Sequence, residues 1–239
     1  MSISVCFKPT KDDLSQIKLW LKKEIDKNTF GFYDNWDGIE ESFHKGNLVA
    51  IKENNFPVGF FTYRISEKVV HIIIASIKET HRKKGFGKIL INEAKEYFKK
   101  INQIVIELYC QPVSSESFWK TMSFKHFPEI DGYQNKIQMY FILKPHLTPT
   151  NDKNSTARIK LWDVEPHQIR DYLPQWIWEV KFKSNSTELE KPIIFPVDSD
   201  WNIELEYQGK QIEEHKVKKC RNVKLLNGTY ILINKLQIT

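Results

Sequence analysis

Between Ile72 and Leu90 the hydrophobic period changes within a few residues, and this constrains the fold more than any other feature of the chain. Ile72 to Ile77 is a short apolar run rich in β-branched residues, as expected of a strand buried on both faces. From Phe86 onward, Phe86, Ile89, Leu90, Ala94 and Phe98 fall on one face of a helix, while Lys88, Glu93, Lys95, Glu96 and Lys99 point elsewhere. The link is Arg82-Lys83-Lys84-Gly85-Phe86-Gly87. Gly85 and Gly87 permit backbone conformations and close approaches that a Cβ forbids, so N–H groups at the helix start can converge on one anion. Arg82, Lys83, Lys84 and Lys88 place positive charge beside them. For an isolated G-x-G pair a solvated basic loop is the stronger reading; the strand before it and the helix after it favour an anion cradle.

The flanking chain supplies a sheet for this unit. Ile3, Val5 and Phe7 alternate over a first strand, residues 3–8. Thr10 then caps a helix that Asp12 and Asp13 open and that Leu14, Ile17, Leu19, Trp20, Leu21 and Ile25 carry to about Lys27. Residues 29–38 read as a loop dense in aromatics, acids and glycine, suited either to holding an amine through carboxylates and cation–π contacts or to pinning a surface loop. Residues 47–52 and 58–65 form two strands joined by the turn Glu53–Pro57. Residues 69–77 follow as the next strand, and residues 104–110 as a fifth.

Arg82-x-x-Gly85-x-Gly87, set between an apolar strand and an amphipathic helix, resembles the acyl-coenzyme A pyrophosphate loop of the GNAT family of N-acetyltransferases. A second stretch points the same way: Ser114 to Ser117 start a helix, and Phe118-Trp119-Lys120-Thr121-Met122-Ser123-Phe124 resembles the family's ending of the next helix. This chain has Glu79 where the family usually has proline, Pro112 where many members have a cofactor-contacting asparagine, Trp119 in place of a tyrosine that protonates the leaving thiolate, and Ser123 in place of a helix-ending glycine. The resemblance covers residues 1–144. It implies an α/β (α+β) fold with a mixed, mostly antiparallel central sheet flanked by helices, completed by a strand at 137–143. It also implies acetyl-coenzyme A as co-substrate, contacted by Ser76, Ile77, Arg82, Lys83, Lys84, Gly85, Phe86, Gly87, Lys88 and Trp119, with the backbone N–H of Ile77 meeting the thioester oxygen.

Acetyl transfer to an amine needs a base for the ammonium and a proton for the thiolate. His71 and Glu107 are the candidate bases, and an imidazole titrating near neutrality suits direct or water-mediated action. The competing readings are a strand-end histidine in solvent and an outward glutamate satisfied there. Tyr109 and Tyr133 are candidate acids, and the thiolate could also leave without one. The implied activity is N-acetyl transfer to a small-molecule or peptide amine; the competing class is a GNAT-fold module that binds acyl-coenzyme A or a protein without turnover.

Residues 145–156 are polar, carry prolines and lack apolar periodicity, marking a linker. Beyond it, residues 157–164, 176–182, 193–197, 203–207 and 223–233 read as strands, with a short helix over 166–172 and hairpin signals at Asn227-Gly228 and Gln208-Gly209. This small β-rich accessory domain, 157–239, matches no familiar pattern; it could shape the acceptor site, dimerise or bind a protein. The chain of 239 residues, 41% hydrophobic and 13% aromatic, is globular. No apolar run reaches membrane-span length, and a cytoplasmic protein off the membrane is expected. Three scattered cysteines form no C-x-x-C pair, so neither a disulfide framework nor a metal site is expected. The net charge of +6 divides as 22 basic against 17 acidic residues in 1–150 and 14 against 13 in 151–239. The excess sits with the cradle, which fits an anionic ligand, though a surplus this small is common also on proteins that bind none, and no basic stripe with stacking aromatics suggests nucleic acid.

Overall fold

The computed structural model describes residues 2–26, 32–128, 137–150 and 156–238. The chain divides into two compact units, Met1–His126 with Asn135–Leu143, and Phe127–Gln134 with Lys144–Thr239. The last crossing between the units falls after Leu143. The first, at Phe127, carries no compositional signal.

The first unit is a mixed α+β fold. Its sheet holds β1 (Ile3–Cys6), β2 (Leu48–Glu53), β3 (Phe56–Ser66), β4 (Val69–Ile77), β5 (Val105–Cys110), β6 (Lys125–His126) and β7 (Ile137–Ile142), in the order β1-β2-β3-β4-β5-β7-β6. Every neighbouring pair is antiparallel except β4 and β5. Helices α1 (Lys11–Ile25) and α2 (Trp36–His44) bury Ile17, Trp20, Leu21 and Ile39 against Leu48, Ala50, Phe60 and Ile74 on one face. On the other, α3 (Phe86–Lys100) and α4 (Glu116–Thr121) bury Phe86, Leu90, Phe98 and Trp119 against Val49, Phe61, Ile72 and Ile106.

Several local outcomes differ from the sequence reading, each for a physical reason. A nine-residue helix, α2, starts inside the stretch that reads as a loop to Gly38, because Trp36 and Ile39 are buried and outweigh the low propensity of Gly38. The β2–β3 turn is shorter than 53–57: Asn54 and Asn55 both take positive φ, 48° and 69°, as a two-residue primed turn requires, and Pro57 lies within β3. Strand β4 is not buried throughout. The β3–β4 register shifts between Thr62 and Tyr63, leaving Ile73 without an opposite residue and 56% exposed. In α3 it is Ile91, not Ile89, that completes the buried face.

The second unit packs two sheets around one core. One runs β12 (Lys210–Lys216), β11 (Asn202–Tyr207), β8 (Ala157–Trp162), β9 (Trp176–Val180); the other runs β10 (Glu188–Pro196), β14 (Tyr230–Lys235), β13 (Lys224–Leu226). Ile159, Leu161, Trp178, Ile203, Ile193 and Ile231 meet between them. Phe127 sets its ring edge-on to Tyr230 at 5.7 Å. The charged strand β12 escaped the sequence reading because Lys-Gln-Ile-Glu-Glu-His-Lys offers almost no apolar alternation, and the helix expected at 166–172 is a 3-10 turn over Pro166–Asp171.

Candidate functional site

Backbone geometry creates the site. β4 and β5 pair only from Val69↔Val105 to Ile72↔Leu108, although β4 runs on to Ile77 and β5 to Cys110. They part where the Ile73 bulge interrupts the ladder. Lys78 N–H donates to the Val58 carbonyl at 2.9 Å, and the alternation of an antiparallel pair then directs Ser76 towards β3 and the N–H groups of Ala75 and Ile77 towards the gap. Ala75 therefore shares the open edge with Ile77. Ser76, expected to contact a cofactor, faces β3 with its backbone and is 8% exposed.

The anion cradle lies just beyond. Gly85 caps α3 with φ of 88°, no side chain caps this end, and the first turn holds no acidic residue. The first intrahelical bond is Ile89 N–H to Gly85 O, so the N–H groups of Phe86, Gly87 and Lys88 have no intrahelical acceptor. Lys83, at φ of 60°, Lys84 and Lys88 add charge to the positive helix end. The two glycines serve different needs. Gly85 supplies a left-handed backbone. A Cβ on Gly87 would stand 3.2 Å from the Phe118 ring, so that glycine lets α4 close on α3. The Phe86 side chain, 3% exposed, belongs to the core, which leaves only its backbone to the cradle. Trp119, likewise expected at the cofactor, is 6% exposed and packs between Phe118 and Phe124. Arg82 donates from Nε to the Ile77 carbonyl at 2.9 Å and from Nη2 to Glu24 at 3.1 Å.

His71 and Glu107 stand opposite each other across the parallel β4–β5 pair. Both are 6% exposed, so neither the solvent-facing histidine nor the outward glutamate holds. His71 Nδ1 lies 2.6 Å from Glu107 Oε1, and Gln138 Nε2 donates to Glu107 Oε2 at 3.3 Å. The carboxylate favours the proton on Nδ1, leaving a lone pair on Nε2, which is buried without a hydrogen-bond partner among the described residues. Tyr140, opposite Glu107 on β7, keeps its proton, since burial pushes its hydroxyl up to about 12. Tyr109 sits one residue past the last β4–β5 pair and is 52% exposed. Tyr133 lies outside the described residues.

A cleft of about 320 Å³ opens where the strands part, lined by Asp34, Asn35, Asp37, Thr62, Ile73 and Ile74. His71 lies two residues before Ile73, about 7 Å along the strand. Sequence reasoning flagged the aromatic and acidic segment but could not single out Asp34, Asp37 or Thr62, since only the fold sets them beside the bulge. A larger open cleft of about 480 Å³ lies between Leu19, Trp20, Phe56 and Lys78. It touches none of the parted backbone edge. Among the described residues no group of three or more His, Cys, Asp or Glu could hold a metal ion, and no helix is long and apolar enough to cross a membrane.

Residues 13–124 match the family model described as the acetyltransferase (GNAT) family. No curated protein matches the chain. Among solved structures, the PaiA N-acetyltransferase of Thermoplasma acidophilum in complex with coenzyme A is 18% identical at a TM-score of 0.50, over 59% of this chain and 99% of that one. A putative acetyltransferase of the GNAT family from Desulfovibrio desulfuricans is 11% identical at a TM-score of 0.51, over 60% of this chain and all of that one. These likenesses are of fold. The family match lies wholly within the first unit, and the β-rich part beyond it has no family match.

Proposed function

We propose that the first unit transfers the acetyl group of acetyl-coenzyme A to a primary amine by direct attack on the thioester. One observation carries this reading: the acidic cleft of Asp34 and Asp37 adjoins the point where β4 and β5 part, as an ammonium pocket beside a thioester would have to. The N–H groups at the start of α3 and the surrounding lysines fit a pyrophosphate. The N–H groups of Ala75 and Ile77 fit the pantetheine arm and the thioester oxygen. Asp34 and Asp37 orient the incoming ammonium. Its proton passes through water to His71 Nε2, with Glu107 holding the imidazole in the required tautomer. The amine nitrogen bonds to the carbonyl carbon, the C–S bond breaks, and Tyr109 offers a proton to the departing thiolate.

The absence of a hydroxyl at Trp119 and the burial of His71 favour a second reading, an acyl-coenzyme A binding module without turnover. Release of coenzyme A over a panel of small and peptide amines separates the two. Turnover with one or more amines, reduced at least tenfold in Asp34→Asn/Asp37→Asn, supports transfer. Calorimetric binding with no release on any amine supports the module, and no binding of acetyl-coenzyme A removes both.

A further inference from the structure

We infer that Glu24 is a positioning residue for the phosphate loop, a strut from α1 that fixes the segment delivering the N–H groups of α3 and so sets the affinity for a pyrophosphate-bearing donor. The inference rests on the reading of that loop as the donor site. Glu24 is the penultimate residue of α1, and its side chain is 14% exposed. Its Oε1 accepts from the backbone N–H of Glu79 at 2.6 Å and its Oε2 accepts from Arg82 Nη2 at 3.1 Å. One carboxylate thus grips both ends of the turn Glu79–Arg82, whose bonds are His81 N–H to Lys78 O and Arg82 N–H to Glu79 O. Arg82 Nε ties the same turn to the Ile77 carbonyl at the end of β4. From the other side His81 Nε2 lies 3.1 Å from Glu53 Oε2, and its ring stands edge-on to Phe86 at 5.5 Å.

The strut is carried by an element that cannot drift. Thr10 and Asp13 form a capping box at the start of α1, Lys52 pairs with the buried Asp13 at 2.7 Å, and Ile17, Trp20 and Leu21 are buried. A carboxylate holding a guanidinium also neutralises it before any diphosphate arrives. Arg82, assigned to the cofactor from sequence, is on this geometry a brace of the loop, and Lys83, Lys84 and Lys88 remain to meet the phosphates. Freed from Glu24, the turn has nothing else among the described residues gripping its first N–H, and the left-handed residues Lys83 and Gly85 that aim the helix end are left with the Arg82–Ile77 bond and the His81 contacts alone.

The test is calorimetry of coenzyme A on the full chain. Losing charge-assisted bonds from the loop is expected to weaken binding about tenfold in Glu24→Ala and about threefold in the isosteric Glu24→Gln, which keeps an acceptor for the Glu79 N–H. Arg82→Ala should match Glu24→Ala, and the double variant should be no weaker than either. Unchanged affinity would overturn the inference, as would tighter binding in Glu24→Ala, the mark of an arginine released to the phosphates. A lowered melting temperature with affinity unchanged would reduce Glu24 to a purely structural role. If the wild-type chain binds no coenzyme A, the donor-site reading fails by itself. Amide exchange at Glu79 then judges the strut alone: at least tenfold faster exchange in Glu24→Ala upholds it, and an unchanged rate refutes it.

Discussion

Gly59 on β3 faces Ile77, the last residue of β4, and replacing it by alanine tests how tightly the strand end is set. A Cβ at Gly59 would lie 2.3 Å from Ile77 Cδ1 and 3.0 Å from both Ile51 Cγ2 and the Ser76 carbonyl oxygen. Carbon atoms rest about 3.5–4 Å apart, so the Ile77 δ-methyl must retreat by about an ångström or more. Ile51, 0% exposed, and the Ser76 backbone cannot follow. Overpacking of this kind costs about 1–3 kcal/mol. Relief of glycine's unfolded-state entropy returns about 0.5–1 kcal/mol. The net expectation for Gly59→Ala is a loss of about 1–2 kcal/mol. Ile77→Val removes Cδ1 alone and costs about 0.5–1.5 kcal/mol by itself. In the double variant the clashing atom is gone, so the two losses should fall short of additivity by about 1 kcal/mol. Urea unfolding of the full chain, with amide exchange in β3 and β4 to isolate the first unit, measures the cycle. An additive cycle, or a Gly59→Ala chain as stable as wild type, would refute the packing argument. Because the Ile77 carbonyl holds Arg82, Gly59→Ala should also weaken coenzyme A binding in the same titration.

Five further outcomes are expected. Ser123 ends α4 at φ of 62°, so Ser123→Gly should stabilise by about 1 kcal/mol and raise the melting temperature. Asp13→Ala, which breaks a largely buried pair with Lys52 and the capping box, should cost about 3 kcal/mol against about 1 kcal/mol for Thr10→Ala in denaturant titrations. Burial pushes the Asp13 carboxyl upward, but Lys52 and Thr10 outweigh it and hold it below the usual 3.8; its stabilisation is present above that value and fades as pH falls through the lower folded value, a slope Asp13→Asn should remove. Lys95 is lowered to about 8 by burial, beside Phe141 and the Met122 carbonyl; the folded chain releases this proton before the unfolded one, so stability should rise between pH 8 and 10.5 by a step absent in Lys95→Met. Replacing Lys83, Lys84 and Lys88 together by glutamine should weaken coenzyme A binding and flatten its salt dependence, read by calorimetry at two ionic strengths.

What the sequence disclosed and what it hid follow from the range of the forces involved. The strand, loop and helix of Ile72–Leu90 were legible because hydrophobic period and glycine placement are local. So were the Thr10 cap and the Asn227-Gly228 turn, whose residues take φ of 50° and 71°. The orientation of a residue within an element was not local. Trp119 and Phe86 were assigned to the cofactor, yet only the packing of α3 and α4 on the sheet decides that their rings point inward. At Gly87 a packing need stayed hidden, because Phe118, which would touch a Cβ there, lies 31 positions later in the chain. The His71–Glu107 pair depends on β5 joining β4 in parallel, a register no stretch of chain announces. The acidic cleft was half legible: its composition stood out, but the helix that presents Asp37 is held by burial of Trp36 and Ile39.

The single parallel contact has a consequence for how the molecule comes together. β2, β3 and β4 are joined by short turns and can zip in sequence, whereas β5 reaches β4 only after the chain between Ile77 and Val105 has gone out and returned through α3. Closing that excursion is a long-range event and belongs late in folding. The anion cradle lies at its outer bend, so it takes shape in the same step that seals the sheet. On the reading of the cradle as the donor site, a donor molecule present during synthesis would then meet it only on a nearly finished domain and could not act as a template for the early strands.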